Sequence, residues 1–282
     1  MLDNGIFGHS QICDWAMGPQ GPSFGAENQH YEVLGVKRKK PHADAAFQAQ
    51  IDALFTVGRL IREGKIQAFT YSELDCERLN QFMGESMLGA LAECQIETCL
   101  PAIERSRFQR GNYFAFARKG GKKDRDRGLD TRLSQIAFLE MLCSLEDGFL
   151  SQWMPLKDLL GFTDFEVESL KNARCFQMLC NISNSVENYP DMFHLWTAQR
   201  NRMDVILTLD NKFANTAKQI YKTRGVSIEF PTQVMRPLEL LERLCVEKPD
   251  QIPIKHSCFY TLHELSRDAP AERFALFRVL QR

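Results

Sequence analysis

The sequence predicts an α/β fold, a three-layer arrangement around a mostly parallel central sheet, with a helical insertion. Three observations predict it. "AAFQAQIDALFTVGRLIREGK" carries apolar residues at helical spacing, and Gly64 closes it among basic residues. The strand-like "IQAFTY" and the helical "ELDCERLNQFM" follow at once. The same rhythm returns near the C-terminal end, where "DVILTL", "FANTAKQIYKTRG" and "VSIEF" read as strand, helix and strand. Helix and strand in alternation are the mark of a parallel sheet, because each crossover needs a helix. The predicted strands are 1–3, 66–70, 205–209 and 226–230.

Taken in order, "MLDNGIF" reads as a very short strand that turns at Asn4-Gly5. The stretch "MGPQGPSFG" at 17–25 is rich in Gly and Pro but lacks the pattern of a nucleotide phosphate loop. Ser72 is placed to cap the helix after the second strand. "LSQIAFLEMLCSL" and "DFEVESLKNARCFQMLCNI" read as helices, and residues 234–282 read as mainly helical. The expected domains are a core over 1–234, interrupted by an insertion at about 85–162, and a helical extension over 235–282.

The chain has 282 residues, 44% of them hydrophobic, enough to fill a core. Its 35 Lys and Arg against 36 Asp and Glu name no partner through net charge. Nine scattered cysteines show no zinc-site spacing and lie mostly among apolar residues, which suggests buried thiols in a reducing compartment. The first residues show no signal-peptide pattern, and no apolar run approaches the roughly 18 residues of a membrane helix. A cytoplasmic protein without a membrane partner is expected.

The carboxylates carry the functional argument. In an open parallel sheet, ligands bind beyond the carboxyl ends of the strands. Asp3 ends the first predicted strand and Asp210 follows "VILTL". Asp191 opens the preceding helix, and Glu73 and Glu77 lie early in the helix after "IQAFTY". Carboxylates gathered at one edge repel one another, and a hard cation such as Mg²⁺ or Mn²⁺ relieves the repulsion. Phosphodiester hydrolysis is the chemistry such a site suits. Each residue alone has a simpler reading. Asp191 after Pro190 suits a helix cap, Asp210-Asn211 suits a turn, Asp3 suits a surface turn, and Glu73 and Glu77 suit a solvated face. The combination favours a shared site. His194 reads as a packing or hydrogen-bonding residue, and Phe193 and Trp196 as core.

The stretch "DMFHLWTAQRNRMDVILTLDNKF" resembles the C-terminal signature of the PIN-domain nucleases. An aspartate opens a helix of the form D-x-x-H-L-x-T-A, and an apolar strand ends in T-x-D with an aromatic residue soon after. Asp191, His194, Leu195, Thr197, Ala198, Thr208, Asp210 and Phe213 fill those places. "MLDN" resembles the family's first strand, and "GKIQAFTYSELDCERL" its second strand and glutamate-bearing helix. "TRGVSIEFPTQV" resembles its closing strand. The resemblance covers about half the chain: the start, 46–80, and about 163–234. Gly5 departs from it, where the family usually carries a small polar residue or Asn.

The resemblance implies a Mg²⁺- or Mn²⁺-dependent nuclease, most often one acting on RNA. Asp3, Asp191 and Asp210 would be catalytic metal ligands, with Glu73 or Glu77 as the fourth acid; both are acid candidates and Glu73 a metal candidate. Asn4 and Thr208 would support the ligands from behind. "ERSRFQRGNYFAFARKGGKKDRDRG" holds nine basic and three acidic residues, a net charge of +6, interleaved with aromatics. Arg105, Arg107, Arg110, Arg118, Lys119, Lys122 and Lys123 would hold a nucleic-acid backbone there, unless the segment is a solvated loop. "VKRKK" at 36–40 is a second basic cluster with the same ambiguity. The expected partner is single-stranded or structured RNA. The alternatives are a non-catalytic module that binds nucleic acid or protein, and a toxin-type nuclease controlled by an inhibitory protein. A homodimer is compatible with each.

Overall fold

The structure is a computed structural model that describes residues 1–19, 32–80, 89–108, 135–146, 148, 155, 157–223 and 231–261. The fold is mixed α/β with small sheets, some of them parallel. The chain divides into two compact units, each assembled from separated stretches. The first unit comprises Met1–Asn4, Phe69–Phe82 and Glu97–Met235, and the second Gly5–Ala68, Met83–Ile96 and Arg236–Arg282. This differs from the expected division into 1–234 and 235–282, because residues 5–68 group with the C-terminal stretch.

In the first unit, β5 (Val205–Leu207) pairs in parallel with β6 (Gln233–Met235). Leu2 forms a parallel bridge with Leu207. The Asp3 N–H donates to the Leu207 carbonyl, the Leu207 N–H to the Met1 carbonyl and the Leu2 N–H to the Phe69 carbonyl, each at 2.9 Å. Residues 1–3 are therefore threaded between β5 and β3 (Ala68–Thr70), and β3 pairs in turn with β4 (Ile96–Thr98). The backbone order is β4, β3, residues 1–3, β5, β6. The expected strand 226–230 lies outside the described residues, and β6 begins after Pro231 instead.

The helix Tyr189–Arg200, α7, forms the centre of this unit's core. Every residue from Met192 to Gln199 is buried, so it has no solvated stripe, and its polar side chains need internal partners. Trp196 stacks on Phe176 of α6 (Ala173–Ser183) with ring centroids 5.2 Å apart, and Phe193 meets both rings edge-on. Phe138 and Leu142 from the helical residues 135–143 join the same cluster. The preceding helix, α5 (Asp164–Lys171), starts with a capping box between Thr163 and Glu166.

In the second unit, α2 (Ala45–Arg62) is capped by Asp44, whose carboxylate accepts from the N–H groups of Ala46 and Phe47. It ends in a Schellman motif. Gly64 has φ +69°, its N–H donates to the Ile61 carbonyl, and the Lys65 N–H reaches the Leu60 carbonyl. An antiparallel sheet of β1 (Cys13–Pro19), β2 (Glu32–Arg38) and β7 (Phe259–Thr261) completes the unit with α9 (Pro237–Arg243), which packs on α2.

Three expectations are corrected here. Asn4-Gly5 is not a turn but the start of α1 (Asn4–Ser10). Part of the Gly/Pro-rich stretch is strand, because it sits at the sheet edge where Pro19 is tolerated. The described part of 234–282 contains a strand as well as a helix. All nine cysteines are free thiols; Cys13 and Cys180 are buried, whereas Cys245 and Cys258 are exposed. Among the described residues, no helix is long and apolar enough to cross a membrane.

Gly58 sits where the Ala90 carbonyl closes on α2: a Cβ there would lie 1.9 Å from that oxygen. Alanine in place of glycine gains about 1 kcal/mol of helix propensity, but the clash is with backbone and cannot rotate away. Gly58→Ala is expected to destabilise the protein by about 1–3 kcal/mol, read as a lower urea midpoint. A raised midpoint would mean that residues 89–92 do not rest on this turn.

Candidate acidic site at the strand ends

The threading of residues 1–3 brings Asp3 beside the end of β5. The Thr208 hydroxyl donates to Asp3 Oδ2 at 2.6 Å and accepts from the Asp210 N–H at 2.9 Å. Asp3 Oδ1 accepts from the Asn4 N–H at 2.8 Å. The T-x-D sequence thus ties two aspartates through one hydroxyl. Asn4 contributes its backbone, while its own amide oxygen is buried and has no hydrogen-bond partner.

Asp210 also caps α8 (Asn211–Lys222). Its Oδ1 accepts from the N–H groups of Lys212 and Phe213 at 2.7 and 3.2 Å. Here the simpler reading and the site reading hold together, because one oxygen does the capping. Asp191 is different. Asn188 occupies the cap position of α7, and Asp191 lies in its first turn, largely buried. Its pKa is pushed up to about 6, first by burial and then by the charges of Asp3, Asp210 and Glu77, with His194 opposing. Asp3 is also raised, chiefly by burial, against the pull of His194 and Thr208.

The structure separates the two glutamates. Glu73, in the first turn of α3 (Ser72–Asn80), is buried and gripped by Arg105, whose Nε lies 2.9 and 3.1 Å from its two carboxylate oxygens. Burial raises the Glu73 pKa, and the Arg105 bond opposes that rise. Glu77, one turn further on, faces His194, with Oε1 3.5 Å from Nε2. Burial alone would raise Glu77, but the charge and hydrogen bond of His194 outweigh it and the pKa falls. Glu77 therefore belongs with the aspartates, and Glu73 belongs to a buried ion pair. Arg105 is correspondingly revised: it is enclosed within the unit and is not offered to a nucleic-acid backbone. Arg107 reaches Glu166, Nε to Oε1 at 3.4 Å. Arg110, Arg118, Lys119, Lys122 and Lys123 lie outside the described residues.

His194 is fully enclosed, yet its pKa is raised to about 9: burial lowers it, and Glu77, Asp3 and Asp191 more than compensate. At neutral pH it is an imidazolium that donates from both nitrogens, to Glu77 and to the Tyr71 hydroxyl at 2.6 Å from Nδ1. This role of His194 as a buried cation among carboxylates was not anticipated. A histidine three residues after an acid on a helix was the available signal, but Tyr71 and Glu77 reach it only through the tertiary fold.

The carboxylates of Asp3, Asp191, Asp210 and Glu77 offer the oxygen donors a hard cation prefers, with the His194 imidazole beside them. Among the described residues, however, no three His, Cys, Asp or Glu side chains form a ready ligand set. Side chains would have to turn toward one another to hold an ion. Compared with family models, with curated proteins and with solved structures, the chain finds no match.

Two predictions follow from these charges. Arg105→Ala leaves Glu73 buried without its partner and should cost about 3–5 kcal/mol, whereas Arg105→Met with Glu73→Gln should recover most of it in a denaturation series. The second concerns pH. Asp191 binds its proton more tightly in the fold, at about 6, than its ordinary value of 3.8, so stability falls as pH rises across that window. His194, at about 9 against 6.5, contributes stability that is complete below 6.5 and lost as pH climbs through 9. Asp191→Asn should therefore match the parent protein near pH 3.5 and exceed it by about 2 kcal/mol at pH 7.5, a screened fraction of a two-unit shift. Equal stabilities at both values would mean that Asp191 does not share a field with the other acids.

Proposed function

We propose that the chain is a PIN-like, divalent-cation-dependent nuclease with a three-layer core that hydrolyses phosphodiester bonds of RNA. The observation that carries this reading is that Asp3, Asp210 and Glu77 are near enough to Asp191 for their charges to add to burial in raising its pKa. Such mutual repulsion costs stability, and perturbed carboxylates of this kind cluster at functional sites. The residue pattern from Asp191 to Phe213 supports the same reading.

Asp3, Asp191 and Asp210 would hold Mg²⁺ or Mn²⁺. When bound, the ion polarises a phosphate oxygen and lowers the pKa of water. The chain's own groups do the rest. Thr208 holds Asp3 and the Asp210 backbone in register. Glu77, half-buried and kept ionised by His194, remains a carboxylate able to accept a proton from an attacking water. Tyr71 fixes the imidazolium from its far side.

A specific observation keeps a second reading in view. His194 already supplies one positive charge to the acids, which is how a non-catalytic binding module would tolerate them.

Cleavage assays on single-stranded and structured RNA and on DNA, with Mg²⁺, Mn²⁺ or EDTA, separate the two. The nuclease reading expects cation-dependent cleavage that falls at least a hundredfold in Asp210→Asn and in Asp3→Asn, with RNA binding kept. No cleavage of any substrate by the folded parent protein with either cation would favour the binding module.

A further inference from the structure

The second unit contains a half-open pocket of about 440 Å³ that the acidic site does not use. Its wall includes Arg38, Lys39 and Lys40, the last three residues of the basic run "VKRKK". His9, His42 and His256 add three imidazoles, and no Asp or Glu is among the lining residues. We propose that this cavity is a binding site for an organic phosphate monoester of mononucleotide size.

The donors are specified by their other contacts. Arg38 is 7% exposed. Its two terminal nitrogens are taken by the Ile254 carbonyl and by Asp52, while its buried Nε has no partner. A buried guanidinium N–H left open is costly, and an anion in the cavity would answer it. His42 Nδ1 accepts from the Asp44 N–H at 3.1 Å, so a neutral His42 carries its proton on Nε2 and presents a donor. His256 Nδ1 is 2.9 Å from the Lys39 carbonyl and must donate to it. Lys39 is partly engaged by Asp14 at 3.6 Å, and Lys40 is exposed. The pKa of His9 is lowered, first by burial and then by His42 and Lys39, a mutual repulsion that a dianion relieves.

Size and shape decide the class. Pockets for organic ligands run from roughly 300 to 1,000 Å³, and a phosphate group alone would leave most of this one empty. Ile12, Pro41 and Ile51 give it an apolar side. His9 and His42 supply the rings in its wall, flat surface on which a heterocycle can pack. Cations at one part and apolar surface at another match a phosphorylated heterocycle better than a free anion.

Calorimetry on the full chain in EDTA, which silences cation-dependent binding elsewhere, tests this. Adenosine 5′-monophosphate should bind saturably, and adenosine and inorganic phosphate at least tenfold more weakly. Lys40→Gln with His42→Asn, both exposed positions, should weaken that binding at least tenfold with an unchanged melting temperature. Asp191→Asn should leave it intact, so loss of the nuclease reading and loss of this site are told apart. Competition by a 5′-phosphorylated but not a 5′-hydroxyl oligonucleotide would support the site and assign its phosphate to a nucleic-acid end. Equal affinity for adenosine and its monophosphate, or no effect of the double substitution, would overturn the proposal.

Discussion

The candidate site depends on one piece of backbone: residues 1–3 lying between β3 and β5. Four hydrogen bonds hold it there, to Phe69 on one side and to Val205 and Leu207 on the other. Side chains alternate along a strand, so the register that buries Leu2 also sends Asp3 to the strand end beside Thr208. A slip by one residue would exchange the two, placing a carboxylate in the core. Neither the sharing of Thr208 between two aspartates nor the repulsion felt at Asp191 would survive that exchange.

Charge balance inside the first unit follows from that placement. One acid, Glu73, is ion-paired with Arg105. Another, Glu77, is paired with His194, and the aspartates are left partly uncompensated. The order is set by burial. The deepest carboxylate has the rigid two-oxygen contact, the half-buried one has a titratable partner, and Asp210 keeps access to solvent.

Much of this was legible in the sequence, and the remainder was not for identifiable reasons. Helix α2 could be read from its apolar spacing and from Gly64, because both signals are local. Asp191 and Asp210 could be singled out because each falls at a boundary between periodic segments. The choice between Glu73 and Glu77 could not be made: they share a helix face, and the residue that separates them, Arg105, is distant in sequence from both. The antiparallel sheet of β1, β2 and β7 was likewise hidden. Its strands hold Gly, Pro and charged residues, and β7 joins from more than 200 positions away. Arg105 was misjudged for a related reason. It sits in a basic run whose composition suggests solvent, and only the fold turns it inward.

The two units interrupt each other along the chain, and this bears on how the molecule assembles. Leu2 must meet Leu207 across a separation of about 200 residues. Closing a loop of that length costs on the order of 5 kcal/mol of chain entropy before any contact offsets it, although prior pairing with Phe69 shortens the effective loop. Local pieces, such as α2 with its two caps or the packing of α6 against α7, have no such barrier and can form early. The N-terminal strand is then expected to arrive late, on a preformed platform. The mutual repulsion of the acids would be deferred to that step, when the rest of the core already stabilises the fold. A chain stalled before that step would have most of its helices and no acidic site, so the capacity for chemistry marks completion of the fold.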